Sequence, residues 1–283
     1  MKISRRKFLM STTALGMVGV NAQCALAKDA VSPSAHQTSV SEMTDYLVRY
    51  VQKANFVAAQ AAPIISGHRF NGGLNYDEHI AKSSQSIYLI QPSSRVEDIA
   101  KKSKNGSLPL FTILGFNSSL QVNLTDHSQF IFDFLIGDVG LDPKRIHITS
   151  TELIKPLLPS MLRYGIAENK IQLRPLSEAK KAGDGSGWFA PEGHPKQVMM
   201  PSFSVEYLMP DGLDLEIAEF GINDLSGGFG IERLTMAKNQ NYFSWNDYLP
   251  EFKRVVEEEA QKNRQALPVG YYEILGLPKP AST

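Results

Sequence analysis

Apolar positions recur along this chain in two periods. Tyr46, Leu47, Tyr50, Val51, Ala54 and Val57 return at steps of three and four after the cap candidates Ser41 and Thr44, which predicts an amphipathic helix. Short apolar runs bounded by Gly, Asn and Pro follow, and residues 86–90 and 110–114 read as strands. A second helix is predicted over 126–138, with Phe130, Ile131, Phe134 and Leu135 on its apolar face, and a further strand over 145–149. Helical turns over 152–164 would be broken or kinked by Pro156 and Pro159, and 168–171 reads as a connector. Residues 183–193 are rich in Gly, with Ser, Trp and Pro, the composition of an exposed loop over a site. Strands over 202–208 and 213–220 flank Pro210-Asp211-Gly212, a turn signal that predicts an antiparallel hairpin. A glycine-rich strand over 228–230 then runs into a helix over 231–238, and a charged helix is expected over 248–265. No internal repeat is present. Together these elements predict an α+β domain built on an antiparallel sheet.

The N-terminus breaks the pattern. Ser4-Arg5-Arg6-Lys7-Phe8-Leu9-Met10 precedes a short apolar run, and Ala25-Leu26-Ala27 closes the segment. A basic start, a short apolar middle and a small-residue end form a secretory signal, here with the paired arginines of the twin-arginine type, which exports folded proteins. The apolar run is too short to span a bilayer comfortably, so no membrane anchor is expected after cleavage. The expected organisation is a signal over 1–27, a flexible leader over 28–41 and one domain over 42–283. The expected location is the periplasm, with the twin-arginine export machinery as a partner. The chain's single cysteine, Cys24, falls inside the signal. The mature protein therefore has neither disulfides nor thiolate chemistry.

Charge narrows the function further. The full chain carries 29 basic and 29 acidic residues. Removing Lys2, Arg5, Arg6 and Lys7 leaves 25 basic against 29 acidic residues, a formal charge of about −4. Nucleic-acid affinity rests on neutralising phosphates, so a broad tRNA-binding face is not expected. The histidines show no metal-ligand spacing such as His-x-x-x-His, so nothing in their pattern points to a zinc site, and no Gly-x-Ser-x-Gly elbow occurs. His147, inside a strand, reads as structural. His194, in the loop near Trp188, reads as a general acid or base. Trp188 either lids the site or anchors the loop.

The most specific stretch is Gly227-Gly228-Phe229-Gly230-Ile231-Glu232-Arg233-Leu234. Gly228 and Gly230 let backbone approach a flat ligand without an intervening Cβ, and Arg233 offers a guanidinium that stacks on a purine or pairs with a phosphate. The same residues also fit a plain strand-to-helix turn with Glu232 and Arg233 as a solvated pair. The stretch resembles the third signature motif of class II aminoacyl-tRNA synthetases in its alanyl form. Phe111-Thr112-Ile113-Leu114-Gly115-Phe116, the Gly140-Leu141-Asp142-Pro143 turn and Leu215-Glu216-Ile217-Ala218-Glu219-Phe220 resemble further segments of that catalytic domain in the same order. So do Ala190-Pro191-Glu192-Gly193-His194-Pro195 and Glu206 in the strand after it. Arg95 resembles the family's second-motif arginine, which contacts the α-phosphate of ATP.

The resemblance implies a class II synthetase-like antiparallel sheet flanked by helices, with ATP and Mg²⁺ as ligands. Arg95 and Arg233 would be the guanidiniums and Glu206 or Glu216 the metal-side carboxylates. A periplasmic location, which holds no ATP pool, sits awkwardly with that cofactor. The family's ammonium-binding aspartate is Ser226 here, and its pocket tryptophan is Ala218. Glu219 and Asp224 are the carboxylates that would replace the lost charge, or else are solvated at a strand end. Three functions follow as expectations: an exported enzyme acting on an amino acid, amine or acyl-adenylate-type small molecule without charging tRNA; a binding protein that kept the pocket and lost the reaction; and retained ATP-dependent adenylation.

Overall fold

A computed structural model describes residues 37–60, 65–66, 69–70, 85–93, 106, 108, 111–118, 124–189, 200–223 and 225–244, with a few positions between 246 and 258. The signal over 1–27 and most of the helix expected over 248–265 lie outside the described residues. Among the described residues no helix is long and apolar enough to cross a membrane.

The first helix, α1 (Val40–Lys53), begins earlier than Ser41 or Thr44 would place it, because Ser39 is the cap. Ser39 Oγ accepts from the Glu42 amide at 3.2 Å while Glu42 Oε2 accepts from the Ser39 amide at 2.7 Å, a reciprocal box that satisfies two free donors of the first turn. The helix stops at Lys53, so Val57 belongs to the short strand β1 (Val57–Ala58). The apolar spacing ran past the true end because Val57 satisfies the helical period by coincidence. A small hairpin, β2 (Ile65–Ser66) and β3 (Arg69–Phe70), stands apart from the main sheet.

Next come β4 (Ile87–Ser93) and β5 (Phe111–Asn117), then α2 (Leu124–Phe132). The predicted helix over 126–138 is present, but from Asp133–Asp138 it widens to π-type bonding, with the Val139 amide donating to Phe134 O. Ile131, Phe132, Phe134 and Leu135 are buried, and Phe130 packs partly buried against the same core. The chain continues through β6 (Ile146–Thr151), a 3₁₀ turn over Glu152–Leu157 and α3 (Leu158–Arg163), with Pro159 tolerated in the first turn of the latter. The expected connector over 168–171 is one 3₁₀ turn, Glu168–Lys170, feeding a strand, β7 (Ile171–Arg174). A short helix that the apolar spacing did not reveal, α4 (Leu176–Ala182), follows. Only Ala179 of that helix is buried, which leaves no apolar period to read. Then come β8 (Trp188–Phe189), β9 (Met200–Leu208), β10 (Asp214–Gly221), β11 (Ser226–Gly230) and α5 (Ile231–Asn239).

The main sheet runs β1-β4-β5-β11-β10-β9-β6-β7, with β8 on β9. Its centre is antiparallel, including the predicted β9–β10 hairpin, and only the outer pairs β1–β4 and β6–β7 are parallel. The fold class is thus α+β, as the alternation of elements predicts. One face of the sheet carries the core. Phe116, Phe203, Phe220 and Phe229 project from four strands, and rings 5.1 Å to 5.9 Å apart link Phe203 to Phe220, Phe220 to Phe229 and Phe229 to Phe116. Phe134 covers Phe229 at 5.2 Å. Such tilted contacts add to the area these rings remove from water. Asn239 closes the layer by exchanging two hydrogen bonds with the Thr38 backbone, which ties the end of α5 to the start of α1.

Candidate functional site

Polar side chains gather on the sheet face opposite the core, and strand register decides which ones meet. His147 of β6 stands opposite Glu206 of β9, and Glu206 stands opposite Glu216 of β10. Glu216 and Glu219 are three residues apart, so in a regular strand they would point to opposite faces. A bulge between Glu216 and Ala218 inserts one residue into β10, after which Glu219 pairs with Ser204. Ser204 and Glu206 share a face by alternation, and the bulge therefore brings both β10 carboxylates to it.

Glu206 is the pivot of this row. Ser204 Oγ donates to its Oε1 at 2.7 Å and Thr149 Oγ1 to its Oε2 at 3.1 Å. Burial nevertheless pushes its carboxyl up to about 7, with the negative charges of Glu216 and Asp214 acting in the same direction and the two hydroxyls opposing. Arg233 approaches from the first turn of α5. Its Nη1 donates to Glu216 Oε2 at 3.2 Å, its guanidinium carbon lies 5.6 Å from the centre of the Phe111 ring, and the residue is 9% exposed. Glu232 is buried as well and accepts from the Thr112 amide at 2.7 Å and Thr112 Oγ1 at 2.9 Å. Burial raises its pKa. Glu232 and Arg233 are therefore not a solvated pair: one bolts α5 to β5, and the other crosses to the polar face.

Beside Glu219 the sheet is bare. Gly228 pairs with Glu219 on one side and with Gly115 on the other, so two neighbouring strands present backbone without a Cβ next to a carboxylate. The glycine-rich segment after α4 forms a wall over Ser202 and Ser204. Ser202 Oγ donates to Gly185 O at 2.5 Å, and Arg174 Nη1 donates to Asp184 and to Ser186 O, near 3.0 Å in each case. Gly185 has a φ of +87°, and an added methyl there would collide with the Glu219 carboxylate, so this backbone rests directly on the side chain. An open cleft of about 590 Å³ runs along the outer part of the face, lined among others by His147, Lys170, Asp184, Glu206, Asp214 and Glu216.

Of the residues singled out in the sequence, Glu206 and Arg233 meet through Glu216. Gly228 lies beside Glu219, and Gly230 caps α5 directly before the turn that carries Arg233. Ser226 lies at the far end of β11, opposite Asn117. Arg95, His194 and Asp224 lie outside the described residues. His147, read as structural, lines the cleft. Trp188 pairs through β8 with Pro201 and receives the Lys180 ammonium 4.4 Å from its ring centre, which anchors the wall. Asp184 and Asp214, which carry no motif, were missed, and the β10 bulge has no sequence signal apart from an off-period apolar residue. Among the described residues no group of three His, Cys, Asp or Glu side chains is placed to hold a metal ion.

No family model matches the chain, and no curated protein does. Some solved structures are similar to it in part. Apo histidyl-tRNA synthetase from S. aureus shares 12% identity at a TM-score of 0.39, covering 70% of this chain and 65% of that one. Aspartyl-tRNA synthetase from Entamoeba histolytica shares 14% identity at a TM-score of 0.35, covering 71% and 55%. The RNA binding domain of threonyl-tRNA synthetase from Cryptosporidium parvum Iowa II shares 12% identity at a TM-score of 0.36, covering 89% and 84%. The alignment thus spans less than two thirds of the first two proteins.

Proposed function

We propose that this chain is an exported protein of the class II synthetase type, closest to the alanyl form, whose polar sheet face takes an amino acid, an amine or an acyl-adenylate-type small molecule without charging tRNA. The observation that carries this reading is the Glu206–Glu216–Arg233 row: two carboxylates for an amine and a permanently charged guanidinium for a phosphate, side by side on one face. Half-buried backbone without a Cβ at Gly228, beside Glu219, supports the same reading, because a flat group can lie against it. Export through the twin-arginine pathway, with a periplasmic location, belongs to the proposal and rests on the first 27 residues.

ATP and Mg²⁺ fit this row in part. A flat ring between Phe111 and Arg233 needs roughly 7 Å, two stacking contacts of about 3.5 Å each, and the side chains stand 5.6 Å apart. They would have to part slightly. Glu206 and Glu216 are the donor type that Mg²⁺ takes alongside phosphate and water, and the ion, when bound, would neutralise phosphate charge. What the chain itself supplies is position: Arg233 holds charge, Glu216 holds Arg233, and the hydroxyls of Ser204 and Thr149 hold Glu206. A binding protein that has lost the reaction is the second reading, favoured by the pairing of Arg233 with Glu216, which already neutralises the guanidinium.

A thermal-shift screen of the purified protein against ATP, AMP, aminoacyl-sulfamoyl adenylates and free amino acids tests the proposal. An adenylate analogue at a hundred times its Kd should add about 2.7 kcal/mol to the folded state, a rise of roughly 5–10 °C in Tm. Arg233→Ala should abolish the rise. No shift with any of these compounds would remove the nucleotide part of the proposal.

A further inference from the structure

Three polar side chains from three elements form a chain of contacts that the reading above does not use. His147 Nδ1 lies 2.9 Å from Asp214 Oδ1, at the start of β10, and His147 Nε2 lies 2.8 Å from Lys170 Nζ, in the turn that feeds β7. A lysine ammonium has only protons to give, so Lys170 donates and Nε2 accepts. The imidazole proton then sits on Nδ1, where Asp214 accepts it, and the carboxylate fixes both the tautomer and the plane of the ring. All three residues line the 590 Å³ cleft. With Asp214 45% exposed, the trio would add little as a surface ion pair. What the arrangement does specifically is aim the lone pair of an oriented base at a primary amine beside a cavity. Nucleophile, base and orienting carboxylate are recognised by these roles and distances, whatever their order in the chain.

We propose that Lys170 is an imine-forming nucleophile, with His147 as its base and Asp214 as the positioning carboxylate, and that the cleft takes a small polar aldehyde or ketone. His147 Nε2 takes a proton from Lys170 Nζ, and the freed amine adds its lone pair to the carbonyl carbon. The positively charged nitrogen of the adduct passes one of its two protons to the carbonyl oxygen, giving a neutral carbinolamine. The imidazolium returns a proton to the departing hydroxyl, which leaves as water while the nitrogen loses its remaining proton to solvent, and a C=N bond joins substrate and lysine. One C=O and one amine become one C=N and one water, with no change in oxidation state. A carbonyl is the substrate class because an imine is undone by water and returns the lysine, whereas acylation would leave a stable amide. Polarity follows from the walls, where Thr149, Gln172 and Ser186 offer hydrogen bonds. The proposal goes beyond the nucleotide and amine reading: it uses the cleft that Glu206 and Glu216 also line, but neither Arg233 nor Glu216 takes part in the step, and the trapping below needs no nucleotide.

Reductive trapping tests it on the intact protein. Glyceraldehyde and cyanoborohydride are supplied at pH 7, and the rate of modification is followed at each lysine by peptide mass spectrometry. Lys170 should be modified at least tenfold faster than the exposed Lys155 and Lys181, and both His147→Gln and Asp214→Asn should bring it down to their rate. Modification of Lys170 at the reference rate in the wild type, or an excess that survives His147→Gln, overturns the proposal. If His147→Gln accelerates every lysine, the variant has unfolded and the exposed Asp214→Asn decides: a lost excess supports the relay and a retained one overturns it.

Discussion

Replacing Gly227 by alanine should destabilise the protein by about 4 kcal/mol, the sum of a strained backbone at ~1–3 kcal/mol and overpacking at ~1–3 kcal/mol. Gly227 has a φ of +150°, which residues with a Cβ rarely adopt. A methyl group would collide with the Glu219 carbonyl and fall 2.5 Å from Phe220 Cδ1 and 2.9 Å from Phe220 Cα. Two of these obstacles are backbone, and Gly227 is paired with β10 on one side and β5 on the other, so neither strand can move away without breaking a ladder. The loss would reach the site, because Glu219 and Gly228 form the neighbouring rung. Urea melts check the size of the effect against Gly212→Ala in the β9–β10 turn. There φ is +84° but no atom lies within 4 Å of the added methyl, and the cost should be about 1 kcal/mol. Equal effects at the two positions would contradict the packing described for β10 and β11.

Glu206→Gln should make the protein more stable above pH 7, by about 3 kcal/mol at pH 8. The folded pKa of Glu206 is raised to about 7 from 4.5, so ionisation is easier in the unfolded chain. Wild-type stability is therefore highest, as far as this group is concerned, below pH 4.5; it falls as pH rises from there through about 7 and then levels off. The amide removes the cost while keeping hydrogen bonds with Ser204 and Thr149. His127 works in the opposite direction. It is 1% exposed under the Phe203 ring, neither ring nitrogen finds a hydrogen-bond partner among the described residues, and burial lowers its pKa to about 4 from 6.5. The stability it permits is complete above pH 6.5 and is lost as pH falls towards 4. At pH 5 the loss is about 2 kcal/mol, which His127→Leu should restore. Melts of both variants and the wild type between pH 4.5 and 8 separate the two groups. Glu206→Gln should diverge upward at high pH and converge at low pH, with His127→Leu the reverse. Parallel curves would contradict the burial of both side chains. A carboxylate whose removal stabilises the fold is kept for something other than stability, and in this chain it lines the cleft.

Much of this architecture is legible in the sequence, and its limits have physical reasons. The β9–β10 hairpin follows from a turn signal between two alternating runs, and the β11–α5 junction from glycines directly before a helical period. Strand β7 and helix α4 stayed hidden because they lie at the sheet's outer edge, where Leu173 is exposed and only Ala179 is buried, so no apolar period marks them. Arg233 was readable from its motif. Its partner was not, because Glu216 reaches the polar face only in register with Glu206, and register is a property of paired strands. The bulge that turns Glu219 to the same face is likewise a relation between two strands. Asp214, His147 and Lys170 come from three elements and share no motif, so their meeting could be found only in three dimensions.

Arg233 and Glu206 should belong to one ligand site on the polar face of the sheet. Calorimetric titration of the purified protein with an aminoacyl-sulfamoyl adenosine decides this. Saturable one-to-one binding is predicted, weakened at least tenfold both by Arg233→Ala and by Glu206→Gln, each variant losing a single charged contact worth about 1.4 kcal/mol or more. Absence of binding in the wild type, or an affinity that neither substitution changes, would contradict it.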